Sequence, residues 1–212
     1  MVVPYYVMFV ILYRRRLPMR QFNHSTLFFV LLLTIFAAAM LHAADKQSKE
    51  ATMNKSIVVY FSATGTTKGV AERLAAAIGA DIQEIKPVAP YTAADLNWHD
   101  NKSRSSVEMA DRASRPAIQA PMPDVSAYGI VFVGFPIWWY REPSIIDTFI
   151  EASAKALEGK IVAPFATSGG SGMGESSAIM QKLAPAAKVV EGRRFRASAT
   201  AEELAAWAKS VK

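Results

Sequence analysis

From residue 55 onward the chain alternates short, almost wholly apolar runs with amphipathic stretches. Lys55–Phe61, Gly129–Gly134 and Lys160–Ala166 are apolar on both faces, the pattern of strands in a parallel sheet covered on both sides. Ala80–Ile85 and Lys188–Phe195 are shorter or more mixed and read as further strands. Between them the apolar positions fall at helical spacing. Residues 66–79 carry Val70, Leu74 and Ile78 and end at Gly79, a good C-cap, while Pro143–Leu157 carries Ile145, Ile146, Phe149 and Ile150 and closes at Gly159. Residues 175–184 form a helix stopped by Pro185, and Thr200 with Glu203 has capping-box spacing at the start of a last helix containing Leu204 and Trp207. Strands alternating with helices predict an α/β doubly wound, five-stranded parallel sheet of order 2-1-3-4-5 with helices on both faces.

Two segments break this rhythm. Residues 86–126 form a long insert with five prolines (Pro87, Pro90, Pro116, Pro121, Pro123), in which helices are expected over 92–98 and 103–113. Thr92 and Asp95 have the spacing of a helix N-cap. At the other break, residues 27–41 (LFFVLLLTIFAAAML) are apolar and uncharged, preceded by Arg20 and followed by Leu41-His42-Ala43, the layout of a secretory signal peptide with a small-residue cleavage site. The block is short against the roughly 20 residues of a membrane span. The segment 1–43 is therefore expected to direct export, with translation starting at Met19, and 44–54 to be a linker before the domain at 55–212. The alternatives are a partial twin-arginine pattern at Arg14-Arg15-Arg16 and an uncleaved membrane anchor.

Charge changes the picture once the leader is set aside. Of 24 basic residues, Arg14, Arg15, Arg16 and Arg20 precede residue 44 and no acidic residue does, which leaves 20 basic against 18 acidic. A near-balanced domain gives no basic face for nucleic acid. There is no cysteine, and His99 is the only histidine beyond residue 43. Thiol chemistry, thiolate metal sites and a Ser–His triad all lack their residues, so no side chain is assigned a catalytic or metal-ligating role. Redox chemistry would have to come from a bound cofactor.

Three loops at the carboxyl ends of strands one, three and four are unusual in composition. Ser62-Ala63-Thr64-Gly65-Thr66-Thr67 joins a strand to a helix and brings four hydroxyls to a helix N-terminus, where free amides and the dipole favour an anion. It lacks both G-x-x-x-x-G-K-[ST] and G-x-G-x-x-G, and neutral hydroxyls suit one terminal phosphomonoester. Phe135-Pro136-Ile137-Trp138-Trp139-Tyr140 places three aromatics side by side, more than core packing absorbs, as for a stacked flat ligand or a partner-binding patch. Thr167-Ser168-Gly169-Gly170-Ser171-Gly172-Met173-Gly174 lets the backbone approach a ligand and present N–H groups to it.

In order and content the three loops resemble the flavodoxin family, whose phosphate loop reads roughly [ST]-x-T-G-x-T. The resemblance spans about Lys55 to Lys212 and includes Asp95-Leu96-Asn97-Trp98, Ser103-Arg104-Ser105 and Arg115-Pro116 of the insert. It implies bound FMN. Ser62, Thr64, Gly65, Thr66 and Thr67 would hold its phosphate, Pro136, Ile137, Trp138 and Trp139 the ring and ribityl region, and Ser168, Gly169, Gly170, Ser171 and Gly172 the ring edge. The chain departs from electron-carrier flavodoxins in lacking their acidic balance and a third-loop tyrosine over the outer ring face, a position that Tyr140, Trp98 or a neighbouring copy would fill. The leading expectation is a periplasmic electron carrier between redox partner proteins. The alternatives are an NAD(P)H-dependent FMN reductase of quinones or similar acceptors, and a flavin-free interaction module. The sequence does not give the oligomeric state.

Overall fold

The computed structural model describes residues 33–34, 36–43, 45–47 and 55–211. The chain divides into two units, Met1–Lys49 and Glu50–Lys212. In the first, the described residues are helical and exposed, Leu33, Phe36, Met40 and Leu41 among them. Of the residues behind the signal-peptide reading, Arg20, 27–32 and Ile35 lie outside those described, as do Met19, Arg14-Arg15-Arg16 and most of the 44–54 linker. No helix among the described residues is long and apolar enough to cross a membrane.

The second unit is built on a parallel sheet. Its strands are β1 (Ser56–Tyr60), β2 (Asp81–Glu84), β3 (Ile130–Pro136), β4 (Ile161–Thr167), β5 (Lys188–Val189) and β6 (Arg193–Phe195). The order is β2-β1-β3-β4-β5, with β6 also paired to β4, as the alternation of elements predicts. The helices are α1 (Thr66–Ile78), α2 (Arg104–Ala110), α3 (Ser144–Ser153), α4 (Ser176–Leu183) and α5 (Ala201–Ser210).

The alternation of β1 explains the layering. Ile57, Val59 and Phe61 pack with Ile145, Ile146, Phe149 and Ile150 of α3 and Met180 of α4. Val58 and Tyr60 face the other way, into Val70 and Leu74 of α1 and Leu204 and Trp207 of α5. Each such aliphatic side chain contributes roughly 1.5–3 kcal/mol on burial. Trp207 organises the second layer, meeting the rings of Phe132, Phe165 and Phe195 edge-on at 5.5, 6.1 and 5.3 Å between centroids.

Two expectations are corrected. Strand five is not continuous from Lys188 to Phe195; it stops after Val189 and resumes at Arg193. The cause lies in β4. Val162 bonds toward this neighbour, accepting from Val190 N–H at 2.9 Å. Two residues on, Pro164 faces the same side without an N–H to donate, so the ladder lapses opposite it. Gly192 fills the gap because a Cβ there would lie 2.4 Å from Met173 Cε and 3.0 Å from the Pro164 carbonyl oxygen.

The second correction concerns the insert. The helix expected over 103–113 is α2, capped by Ser103 Oγ, which accepts from Ser106 N–H. The stretch 92–98 forms turns instead of a helix. Thr92 and Asp95 do cap one another, with Thr92 N–H donating to Asp95 Oδ2 at 2.8 Å and Asp95 N–H to Thr92 Oγ1 at 3.2 Å. Beyond them, Asn97 Oδ1 accepts from His99 N–H and Asp100 Oδ1 from Lys102 N–H. These local side-chain bonds compete with helix propagation.

Candidate functional site

In a doubly wound sheet the strand order reverses between β1 and β3, and ligands sit outside the carboxyl ends of the strands there. The first loop reaches that point at the N-terminus of a helix. Gly65 takes φ 87°, a left-handed conformation that favours glycine, and donates its N–H to Ser62 Oγ at 3.1 Å. Gly65 is also the N-cap of α1, and it offers no side-chain cap; the first turn holds no acidic residue. By contrast, α5 is capped by Thr200 and carries Glu202 and Glu203 in its first turn. The leading amides of α1 are left to an external acceptor. Thr64 and Thr66 are exposed above them, hydroxyls 3.4 Å apart. Thr67 is placed differently: its buried hydroxyl bonds that of Thr167 at the end of β4 at 2.8 Å, which ties the first loop to the third.

The second loop turns back on itself. Trp138 and Arg141 exchange both backbone hydrogen bonds (2.9 and 3.0 Å), leaving Trp139 and Tyr140 as a two-residue hairpin tip. Their φ values are 43° and 65°. Such tips ordinarily use Asn-Gly, because positive φ strains other residues, by about 1–3 kcal/mol each. Trp138 is the packed indole, edge-on to Phe61 at 5.6 Å and to Tyr91 at 5.2 Å. Trp139 and Tyr140 stay 43% and 76% exposed. Gly174 supports the tip, since a Cβ there would strike the Tyr140 carbonyl oxygen at 1.9 Å.

Below the tip lies a buried ionic cluster that the sequence reading did not single out. Arg141 reaches Asp147 Oδ2 at 3.1 Å and Glu142 Oε1 at 3.4 Å, and donates to Ser144 Oγ at 3.1 Å. One guanidinium faces two carboxyls, and Glu142 Oε2 and Asp147 Oδ1 are buried with no hydrogen-bond partner among the described residues. Burial, reinforced by the Asp147 charge, lifts Glu142 to about 7. Burial raises Asp147 as well, against the pull of Arg141.

Two cavities open at this edge. The first, of about 500 Å³, is lined by Ala63, Thr64, Pro136, Ile137, Trp138, Trp139, Tyr140 and Ser171, with Leu96, Trp98 and Ser105 from the insert. The volume suits a cofactor-sized ligand. The insert thus forms a wall, and Trp98 and Tyr140, the residues expected to stand in for a third-loop tyrosine, both line this cavity. Ser105 Oγ is buried and, among the described residues, has no hydrogen-bond partner. A ligand with a hydrogen-bonding edge would satisfy it.

The second cavity, of about 660 Å³, is lined by Thr64, Thr66, Pro136, Ile137, Trp138, Thr167, Ser168, Gly169 and Gly170, together with Arg194, Arg196 and Ala197. Of the sequence-predicted residues, Ser171 faces the first cavity and Ser168 to Gly170 the second; Gly172 lines neither. Ser168 steadies the glycine loop by donating to the Ser171 carbonyl at 2.5 Å and accepting from Gly170 N–H at 3.2 Å. Arg194 and Arg196 were not anticipated. The available signal was the alternation in Arg193-Arg194-Phe195-Arg196: Phe195 enters the core, so its neighbours face elsewhere. Among the described residues no group of three or more His, Cys, Asp or Glu is placed to hold a metal ion.

The comparisons agree with this geometry. A protein from Bacteroides eggerthii DSM 20697 described as a flavoprotein is 47% identical over 74% of this chain and 97% of its own, with a TM-score of 0.69. A second, from Bacteroides uniformis ATCC 8492, is 43% identical over 73% and 97% of the two chains, with a TM-score of 0.67. A flavoprotein from Lactobacillus acidophilus NCFM, solved in complex with FMN, shares the fold at 22% identity and a TM-score of 0.54, covering 66% of this chain and 92% of its own. No curated protein matches. The sequence profile named Flavodoxin matches residues 55–211, nearly the whole of the unit built on the sheet, and this chain belongs to the flavodoxin family.

Proposed function

We propose that the protein is an FMN-binding flavoprotein that transfers electrons through non-covalently bound FMN. The observation that carries this is the uncapped N-terminus of α1, with Thr64 and Thr66 above it, beside an aromatic cavity that contains an orphaned hydroxyl. A phosphomonoester matches the first feature and a flat ring with a polar edge matches the second; FMN has both. Bound FMN would supply the one- and two-electron chemistry for which the chain has no side chains. The chain's own residues bind and orient it. The α1 amides, Thr64 and Thr66 hold the phosphate, and Thr67 fixes the loop to Thr167. Trp138 backs the ring from its packed position, Trp139 and Tyr140 shield it from water, and Ser105 and the 168–172 backbone hydrogen-bond its edge. The FMN complex of the L. acidophilus protein, which has the same fold, supports the cofactor.

The leader read at residues 27–41 supports export to the periplasm, with a mature chain starting at Ala44. N-terminal mass spectrometry of the periplasmic fraction tests this: a start at Ala44 supports it, and an intact leader in a membrane fraction overturns it. For partners we favour larger redox proteins. A second reading, reduction of quinone-type acceptors by NAD(P)H, is favoured by the absence of an aromatic in the 168–172 loop. Anaerobic titration of the FMN-loaded protein separates the two. Resolved one-electron steps with dithionite and no bleaching by NADPH over an hour identify the carrier; rapid bleaching by NADPH identifies the reductase.

A further inference from the structure

The break in strand five has a functional consequence. Because the ladder lapses at Pro164 and resumes with Arg193 opposite Phe165 and Arg194 opposite Ala166, the sequence Arg193-Arg194-Phe195-Arg196 is set down at the very end of β4. Phe195 enters the core beside Trp207. Arg193 lies over the Phe195 ring and pairs with Glu203 at 3.2 Å. Arg194 and Arg196 do neither: among the described residues they have no carboxylate or hydrogen-bond partner, and both line the cavity that Thr64 and Thr66 line. The loop after them is pinned from the phosphate-loop side. Arg73 of α1 donates through Nε to the Ala199 carbonyl at 3.1 Å and through its terminal nitrogen to the Ala197 carbonyl.

Two unpaired guanidiniums that share a cavity with Thr64 and Thr66 at the start of an uncapped helix repel one another and are stabilised by an anion. Resting on the FMN reading above, we propose that Arg194 and Arg196 form a cationic clamp on the FMN phosphate. The site is thereby electropositive, where its loop alone would be neutral. The clamp adds charge-assisted, planar hydrogen bonds to those of the amides and hydroxyls. It makes cofactor retention depend on ionic strength, and it selects FMN over unphosphorylated riboflavin.

The test uses the full chain with three variants: R194Q, R194Q/R196Q, and R193Q. The last removes one charge from the same strand but away from the cavity, as R194Q does within it. Flavin fluorescence titrations with FMN and with riboflavin are run at low and high salt, with urea midpoints to confirm folding. R194Q/R196Q should weaken FMN at least tenfold, about 1.4 kcal/mol, leave riboflavin within twofold, and flatten the salt dependence of FMN binding. R193Q should leave both flavins within twofold, and R194Q should fall between. In the unaltered protein, inorganic phosphate should compete with FMN and spare riboflavin. Equal losses for both flavins, no loss for FMN, or an R193Q effect as large as that of R194Q would overturn the clamp. So would a loss confined to NADPH-driven reduction with FMN binding unchanged, which would assign the arginines to a second phosphorylated ligand. An unaltered protein that binds neither flavin contradicts the FMN reading itself, an outcome distinct from all of these.

Discussion

Thr67 and Ser105 show why residue type in a motif does not settle residue role. Thr67 belongs to the hydroxyl loop by sequence, yet its hydroxyl is turned inward onto Thr167. Thr67→Val would leave the Thr167 hydroxyl buried and unpaired, a loss of about 1–3 kcal/mol. Urea unfolding should show that loss while the preference for FMN over riboflavin stays unchanged. Ser105 is the converse case. Its Oγ has no partner to lose, so Ser105→Ala should leave stability within about 0.5 kcal/mol and weaken FMN and riboflavin alike. Glu142 supplies a pH dependence. Its carboxyl is lifted from 4.5 to about 7 by burial, so between those values the folded protein holds a proton that the unfolded chain has released. Stability is fully present below 4.5 and is lost as pH rises through about 7. The carboxyls held low, Asp81, Asp95, Asp124, Glu158 and Glu202, act below 4.5, whereas Asp147, also raised by burial, adds to the same fall. The urea midpoint should fall between pH 5 and 8, and Glu142→Gln should flatten that fall.

At the scale of the element, the hairpin tip is the clearest case of local rules set aside. Trp139 and Tyr140 sit at positive φ where Asn-Gly would be relaxed. Trp139→Asn with Tyr140→Gly should therefore raise stability by about 1 kcal/mol, read as a higher urea midpoint. The same change removes aromatic surface from the cavity, and both flavins should bind about tenfold more weakly, in keeping with aromatic contacts worth about 1 kcal/mol beyond area. The aromatic excess in this loop was legible from sequence; which indole packs was not, because that depends on Phe61 and Tyr91, distant along the chain. The strands and main helices were legible because a buried parallel sheet demands apolar runs on both faces. The two misread elements share a cause. In 92–98, Asn97 and Asp100 draw backbone N–H groups to their own side chains, and in strand five a proline in the neighbouring strand removes a donor. Each effect is set by hydrogen-bond partners and leaves no mark on hydrophobic period.

Taken whole, the molecule is a sheet whose carboxyl edge gathers groups from every quarter of the 55–211 unit. The uncapped helix follows β1, the strained tip follows β3, the glycine loop follows β4, the arginines come from β6, and the insert closes one wall. The three loops could be named in advance because each follows a strand whose place in the sheet is dictated by topology. Arg194 and Arg196 could not, since their position depends on the lapse opposite Pro164. The Arg141–Glu142–Asp147 cluster was equally hidden, because charged residues in sequence give no sign of burial. The central claim is that this edge binds FMN by its phosphate as well as its ring. The most direct measurement is the affinity of the purified full chain for FMN and for riboflavin, compared with Thr64→Val/Thr66→Val. FMN should bind with quenched fluorescence and more tightly than riboflavin, and the double substitution should erode that preference with riboflavin unchanged. A protein that stays colourless with FMN, or one whose two affinities fall together, would contradict the claim.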